Sequence, residues 1–205
     1  MPSDQTLPQA EPLLLTLDPG HMRPLYPLLE RGVTLATTVN VCVLDLLMDG
    51  LGLSQADVES VQTVFLDSKP ADDLRESTVK DGTVVALSAA MPGLMGATMR
   101  RDGTYASLRS SISHHSDPDA HDAPRPGHIT LKLFNHMLDS FAERVLAKGV
   151  LVAGKHLNAI LAPLHERLAG ANPVAEIRGQ RVDLTQFELG LPDEAPILFT
   201  VRQNG

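Results

Sequence analysis

Residues Val58 to Gly93 read VESVQTVFLDSKPADDLRESTVKDGTVVALSAAMPG, and the punctuation of this stretch decides the fold. Val61, Val64 and Leu66 lead into Asp67-Ser68-Lys69-Pro70, a cluster of residues that favour turns. Lys80-Asp81-Gly82 is a second turn, set just before the β-branched run Thr83-Val84-Val85. The stretch therefore predicts a strand, a polar crossing, a tight turn and a second strand that closes in a Pro-Gly tail.

Outward from it, the preceding sequence supplies the rest of a small α+β unit. Leu13-Leu14-Leu15-Thr16-Leu17 predicts a strand ended by Asp18-Pro19-Gly20. Met22, Leu25, Leu28 and Leu29 recur at helical spacing up to Arg31-Gly32, where glycine can take the left-handed conformation that stops a helix. Val33 to Thr37 predicts a strand, and Thr38 is placed to cap a helix whose apolar face is Val39, Cys42, Val43, Leu46 and Leu47.

This order of elements is similar to the small β-grasp (ubiquitin-like) sulfur carriers, the small subunit of molybdopterin synthase and the thiamine-pathway carrier. Their last strand follows a Lys/Asp-Gly turn and runs into a glycine-ended tail. The resemblance covers Leu13 to Gly96 and rests on pattern. It implies a surface-acting fold, or a carrier whose terminal Gly-Gly carboxylate a partner enzyme adenylates and converts to a thiocarboxylate. This sequence has no Gly-Gly. Met91-Pro92-Gly93-Leu94-Met95-Gly96 stands where the tail would begin, and about a hundred residues follow it.

The far half repeats the order. Ile129 to Leu133 predicts a strand, His136 to Lys148 a helix stopped at Gly149, Val150 to Ala153 a strand, and Leu157 to Leu168 an amphipathic helix that Pro163 would kink. A strand and turn follow at Val174 to Asp183, with the turn at Arg178-Gly179, and Ile197 to Val201 predicts the last strand. Gly149 stands 117 residues after Gly32, and Leu198 stands 113 after Val85. A near-constant offset over ordered elements is the mark of an internal duplication. The expected architecture is α+β, with tandem β-grasp lobes whose mixed sheets each pack on a helix. Its parts are an N-terminal arm (1–12), a first lobe (13–96), a hairpin and His/Asp/Pro-rich linker (97–127) and a second lobe (128–205).

Composition narrows the function. A formal net charge of −8 and a pI near 5.4 disfavour nucleic acid, and 3% aromatic residues leave few platforms on which bases could stack. The single cysteine, Cys42, excludes an intrachain disulfide, a four-cysteine zinc site and a ferredoxin-type cluster. On its helix face it reads as a small core residue rather than a nucleophile, since reactive thiolates need electropositive, partly exposed settings. No apolar run is long enough to span a membrane and no secretion signal opens the chain, so a cytoplasmic protein is expected.

Candidate chemistry lies between the halves. Asp102-Gly103 centres a hairpin that would bring Arg100 or Arg101 near Arg109, either as a clamp for an anionic group or as charge that keeps an edge soluble. Met91, Leu94, Met95 and Met99 form an adaptable apolar patch beside these arginines, available to a partner or to a junction between lobes. His114, His115 and His121, interspersed with Asp117, Asp119 and Asp122, offer metal ligands within a stretch that also reads as a solvated linker. There is no phosphate-binding loop, dinucleotide fingerprint, nucleophile elbow or zincin motif. The expectation is a non-catalytic binding or adaptor protein without cofactor. Its site would be Met91, Leu94, Met95, Met99, Arg100, Arg101 and Arg109, holding a protein partner or a small anionic ligand. The alternative is a sulfur carrier or accessory subunit that works with an adenylating or other cofactor-biosynthesis enzyme.

Overall fold

The computed structural model describes residues 10–18, 20–89, 122–163, 173–182 and 190–204, which form an α+β protein. In chain order the elements are β1 (Glu11–Leu17), a 3-10 turn (Arg23–Leu25), α1 (Tyr26–Arg31), β2 (Val33–Val39), β3 (Val41–Cys42) and α2 (Val43–Asp45), which continues as a π turn (Leu46–Gly50). Next come α3 (Gln55–Ser60), β4 (Thr63–Leu66), β5 (Lys69–Pro70), β6 (Thr78–Val79) and β7 (Val84–Ser88). The far half contributes β8 (Arg125–Phe134), α4 (His136–Ala147), β9 (Val150–Ala153), α5 (Gly154–Leu161), β10 (Val174–Ile177), β11 (Gln180–Val182) and β12 (Pro196–Gln203).

Among the described residues the expected elements form, with shifted edges, and the expected hairpin at Asp102-Gly103 lies outside them. Gly32 at φ +115° and Gly149 at φ +85° stop α1 and α4 in the left-handed region, where a side chain would be strained. Thr38 is not a helix cap but lies inside β2; Cys42 caps α2, its Sγ accepting from the Asp45 N–H at 3.4 Å. The end of the expected linker, Arg125 to Gly127, is already strand. The second amphipathic helix starts at Gly154 and ends at Leu161, before Pro163. Helix α3 is absent from the sequence reading. Its signal is Ser54-x-x-Asp57, a capping box in which the Ser54 Oγ accepts from the Asp57 N–H and the Asp57 carboxylate accepts from the Ser54 N–H.

The chain folds into two compact units, one of residues 1–28 with 145–205, the other of residues 29–144, and it passes between them within α1 and α4. One lobe per half was expected, over residues 13–96 and 128–205; each compact unit instead draws strands from both halves. In the unit of residues 29–144 the strand order is β2-β8-β7-β4-β5. β8 is antiparallel to β2 from Val33↔Leu131 to Val39↔Arg125 and parallel to β7 from Val84↔Thr130 to Ser88↔Phe134. β4 lies antiparallel to β7 and turns back into β5 through Asp67 and Ser68, both left-handed. Strict alternation in β8 buries Ile129, Leu131 and Leu133 at 0–1% exposure. The same period of two buries Val33 and Leu35 on β2, Val85 and Leu87 on β7, and Val64 and Leu66 on β4. β3 and β6 form a separate small ribbon.

In the other unit the order is β11-β10-β1-β12-β9. β1 is parallel to β12 from Glu11↔Ile197 to Leu17↔Gln203 and antiparallel to β10 from Leu13↔Ile177 to Thr16↔Val174. Leu13, Leu15 and Leu17 are buried, as are Ile197, Phe199, Val201, Val150 and Leu157. β10 and β11 join through Arg178 and Gly179, both at positive φ, as the turn signal predicts.

Gly127 shows how closely the first of these sheets is packed, because a Cβ there would meet the Val39 Cγ2 at 2.6 Å and the Asp81 Oδ1 at 2.8 Å. Gly127→Ala is therefore expected to lower stability by about 1–3 kcal/mol by forcing β8 away from β2. Chemical denaturation followed by circular dichroism checks this; an unchanged midpoint would mean that the strands give way without cost.

Candidate functional site

Met91, Leu94, Met95, Met99, Arg100, Arg101, Arg109, His114, His115 and His121, singled out for partner, anion or metal binding, lie outside the described residues, as do Asp117 and Asp119, while Asp122 is described and exposed. What the structure does place is the pair of anchor points from which that segment leaves and to which it returns. Ala89 follows the C-terminal end of β7 and Asp122 precedes the N-terminal end of β8, and these two strands are parallel neighbours.

The departure point is a knot of neutral polar groups. Ser88, the last residue of β7, is only 4% exposed. Its Oγ accepts from the Asn135 Nδ2 at 3.0 Å and donates to the Ala89 carbonyl at 3.1 Å, while its own carbonyl accepts from the Gln62 N–H at 3.2 Å. Asn135 holds a left-handed conformation, φ +56°, between β8 and α4, a conformation that its short amide side chain tolerates better than most residues. The Gln62 Oε1 is enclosed and has no hydrogen-bond partner among the described residues. Burial of an unpaired acceptor costs about 1–3 kcal/mol, a local penalty that packing elsewhere must offset.

The return point is electrostatic. The Asp81 carboxylate, in the turn before β7, accepts from the His128 N–H at 2.8 Å and from the Arg125 Nη2 at 3.2 Å. The His128 carbonyl accepts from the Gly82 N–H at 2.7 Å, and the Thr83 carbonyl accepts from the Thr130 N–H at 3.0 Å. Asn40, left-handed at φ +60°, donates its Nδ2 to the Ala123 carbonyl at 3.2 Å. The His128 N–H, and then the Arg125 guanidinium, hold the Asp81 carboxyl below the usual carboxylate range.

Elsewhere the chemistry is sparse. Burial, with a smaller contribution from the Asp45 carboxylate and against the opposing Asp45 N–H, pushes the Cys42 thiol up, which keeps it protonated near neutrality. Cys42 is half-buried and works as a helix cap. Among the described residues no three His, Cys, Asp or Glu side chains lie close enough together to hold a metal ion. No helix among them is long and apolar enough to cross a membrane. Sequence reasoning places Asp81 only as a turn residue and does not single out Gln62, Ser88 or Asn135. Asn135 carries a faint signal, an asparagine between a strand pattern and a helix pattern. The enclosure of the Gln62 Oε1 has no sequence signature. No protein-family model, no curated protein and no solved structure matches this chain.

Two outcomes are expected at the anchors. A folded-state carboxyl that titrates below its unfolded value stabilises the protein above the unfolded value, and loses that contribution as pH falls through the folded one. Asp81→Asn should therefore cost about 1 kcal/mol at neutral pH, and the gap to the wild type should close as the pH drops below about 4. Urea titrations across that range measure the gap, and a gap independent of pH would rule out the ionised carboxylate as its cause. Gln62→Met, which removes the unpaired oxygen at similar volume, should leave stability unchanged or raise it by about 1 kcal/mol. A clear loss in the same titration would reveal a partner for that oxygen.

Proposed function

We propose that this chain is a non-catalytic binding or adaptor protein of β-grasp type, internally duplicated, whose working surface is the segment that follows β7. In a β-grasp sheet two parallel inner strands are flanked by antiparallel ones, and a helix lies in the connection between the flanks. The unit of residues 29–144 supports that reading: β8 and β7 are parallel inner neighbours, β2 and β4 flank them, and α2 with its π turn lies between β2 and β4 in the chain.

The observation that carries the functional part is the fixing of both ends of the segment, at Ser88 by Gln62 and Asn135 and at Arg125 and His128 by Asp81. Residues presented from anchored ends on a sheet give up less conformational freedom on binding than residues on a free tail. Met91, Leu94, Met95 and Met99 offer apolar, re-packable contact, and Arg100, Arg101 and Arg109 offer bidentate donors for a carboxylate or phosphate. The ligand class that fits is a protein partner with an apolar patch rimmed by acid, or a small anion.

The second reading, a sulfur carrier or accessory subunit served by an adenylating enzyme, is favoured by one feature. Met91 to Gly96 follows directly on a last strand that is preceded by the Lys80-Asp81-Gly82 turn and lies parallel to its inner neighbour.

Affinity capture from the native cell, quantified by mass spectrometry, tests both. With Arg100→Ala, Arg101→Ala and Arg109→Ala combined, or with Met91→Ala and Met95→Ala combined, the yield of a specific partner should fall about tenfold or more while the far-ultraviolet spectrum is unchanged. Equal yields from wild type and both variants would remove the binding surface from this segment. Intact mass of the captured bait decides the second reading: a chain ending as a thiocarboxylate near Gly96 or at Gly205 makes it a carrier, and full-length chain with no thiocarboxylate at Gly205 excludes that.

A further inference from the structure

We propose that the two halves of this chain are obligate folding partners, so that the protein cut between Ala89 and Asp122 persists as a two-chain molecule with the sheets of both units intact. The observation is the reciprocal loan of inner strands. β8 comes from after the segment, yet it lies between β2 and β7, which both come from before it. β1 comes from before the segment, yet it lies between β10 and β12, which both come from after it.

An inner strand has backbone partners on both sides and cannot be lost without exposing two rows of amides and carbonyls. Without β8, β2 would lose its neighbour in the unit of residues 29–144, and the buried Ile129, Leu131 and Leu133 would leave the core. Without β1, the ribbon of β10 and β11 would be parted from β12, and the buried Leu13, Leu15 and Leu17 would leave the other core. Side-chain ties cross between the same halves. Asp81 with Arg125, Ser88 with Asn135 and Asp57 with Arg144 do so in one unit, and Glu11 with Arg178 and Asp18 with Asn204 in the other. The peptide chain from Ala89 to Asp122 is thus one connection among many. Cutting it would create a new C-terminus beyond the anchored end of β7 without dissolving the strand order that holds that end.

This inference does not depend on what the segment binds. It predicts a molecule different from two independent domains on a tether, each folded from its own half.

The test places a site-specific protease recognition sequence between Asp119 and Ala120 of the full chain and cuts the folded protein to completion. The cut protein should elute from a sizing column at the volume of the uncut one, and should part into fragments only in denaturant. Two species under native conditions would overturn the proposal.

Co-elution alone could also come from two self-contained domains that adhere, so a second variant reads the strand exchange itself. Thr34 and Thr130 face each other on β2 and β8. The Thr130 N–H is turned to the Thr83 carbonyl on the other side, which makes the Thr34–Thr130 pair a non-hydrogen-bonded site with closely spaced side chains. With Cys42→Ser removing the only native thiol, Thr34→Cys with Thr130→Cys should form a disulfide under mild oxidation. The cut chain should then run as one band on a denaturing gel without reductant and as two with it. Two bands in both lanes would place β8 elsewhere and overturn the exchange. Should the cysteine pair prevent folding, hydrogen exchange on the cysteine-free cut protein decides: amides of β1 and β8 stay as slow as in the uncut chain if the exchange is right, and become fast if it is wrong.

Discussion

A strand in the middle of a sheet must find backbone partners on both of its edges, and here β8 and β1 find theirs in the opposite half of the chain. Much else is fitted to that constraint. The turn before β7 offers a carboxylate, Asp81, to the backbone and guanidinium of the arriving β8. Gly127 is bare where β8 presses on Val39 and Asp81. Asn135 turns left-handed as β8 ends, which brings its amide to the Ser88 hydroxyl at the end of the neighbouring strand. The crossings between units fall inside α1 and α4, each closed by a left-handed glycine before the next strand, β2 or β9, begins.

Much of the local structure is legible in the sequence because it rests on local chemistry. Asp67-Ser68, Lys80-Asp81-Gly82 and Arg178-Gly179 are turns, Gly32 and Gly149 stop helices, and the alternation in Ile129 to Leu133 gives a strand with one buried face. Pairing is another matter. A period of two says which face of a strand is buried but not which strand lies beside it, so Leu13 to Leu17 reads equally well as a neighbour of β2 or of β12. The assignment of each lobe to one half follows from sequence order alone, and long-range register is what sequence order does not carry. The cap of α2 is misplaced in the sequence reading for a related reason. Thr38 is the better capping residue by type, but β2 runs on through it to pair with Pro126, and the chain reaches a helical turn only after Cys42.

The site is legible as composition and not as place. Methionines, arginines and histidines in one polar, proline-punctuated stretch mark a segment with contacts to offer, and their positions lie outside the described residues. The groups that tether its ends are ordinary by type, and their roles arise from burial and distance. Gln62 stands out only because its side-chain oxygen is enclosed, and Ser88 because it is 4% exposed beside an amide donor. Neither property exists until the strands have met.

The reciprocal loan also bears on the proposed duplication. In both units the inner parallel pair joins the first strand of one half to the last strand of the other: β8 with β7, and β1 with β12. Chance similarity between two α/β units explains a shared element order, but a mutual exchange of corresponding strands is the arrangement expected when two copies of one unit trade equivalent parts. The exchange is not symmetric in detail. β8, a first strand, lies beside the second strand β2, whereas β12, a last strand, lies beside β9. Two ancestral copies that began alike would thus have diverged in the order of their inner strands. That divergence separates the surroundings of the two last strands: the end of β7 is held between β4 and β8 and leads into the long segment, while β12 lies between β1 and β9. A surface carried by the long segment would then depend on β8, the strand that the far half lends to the unit of residues 29–144 and that lies beside β7.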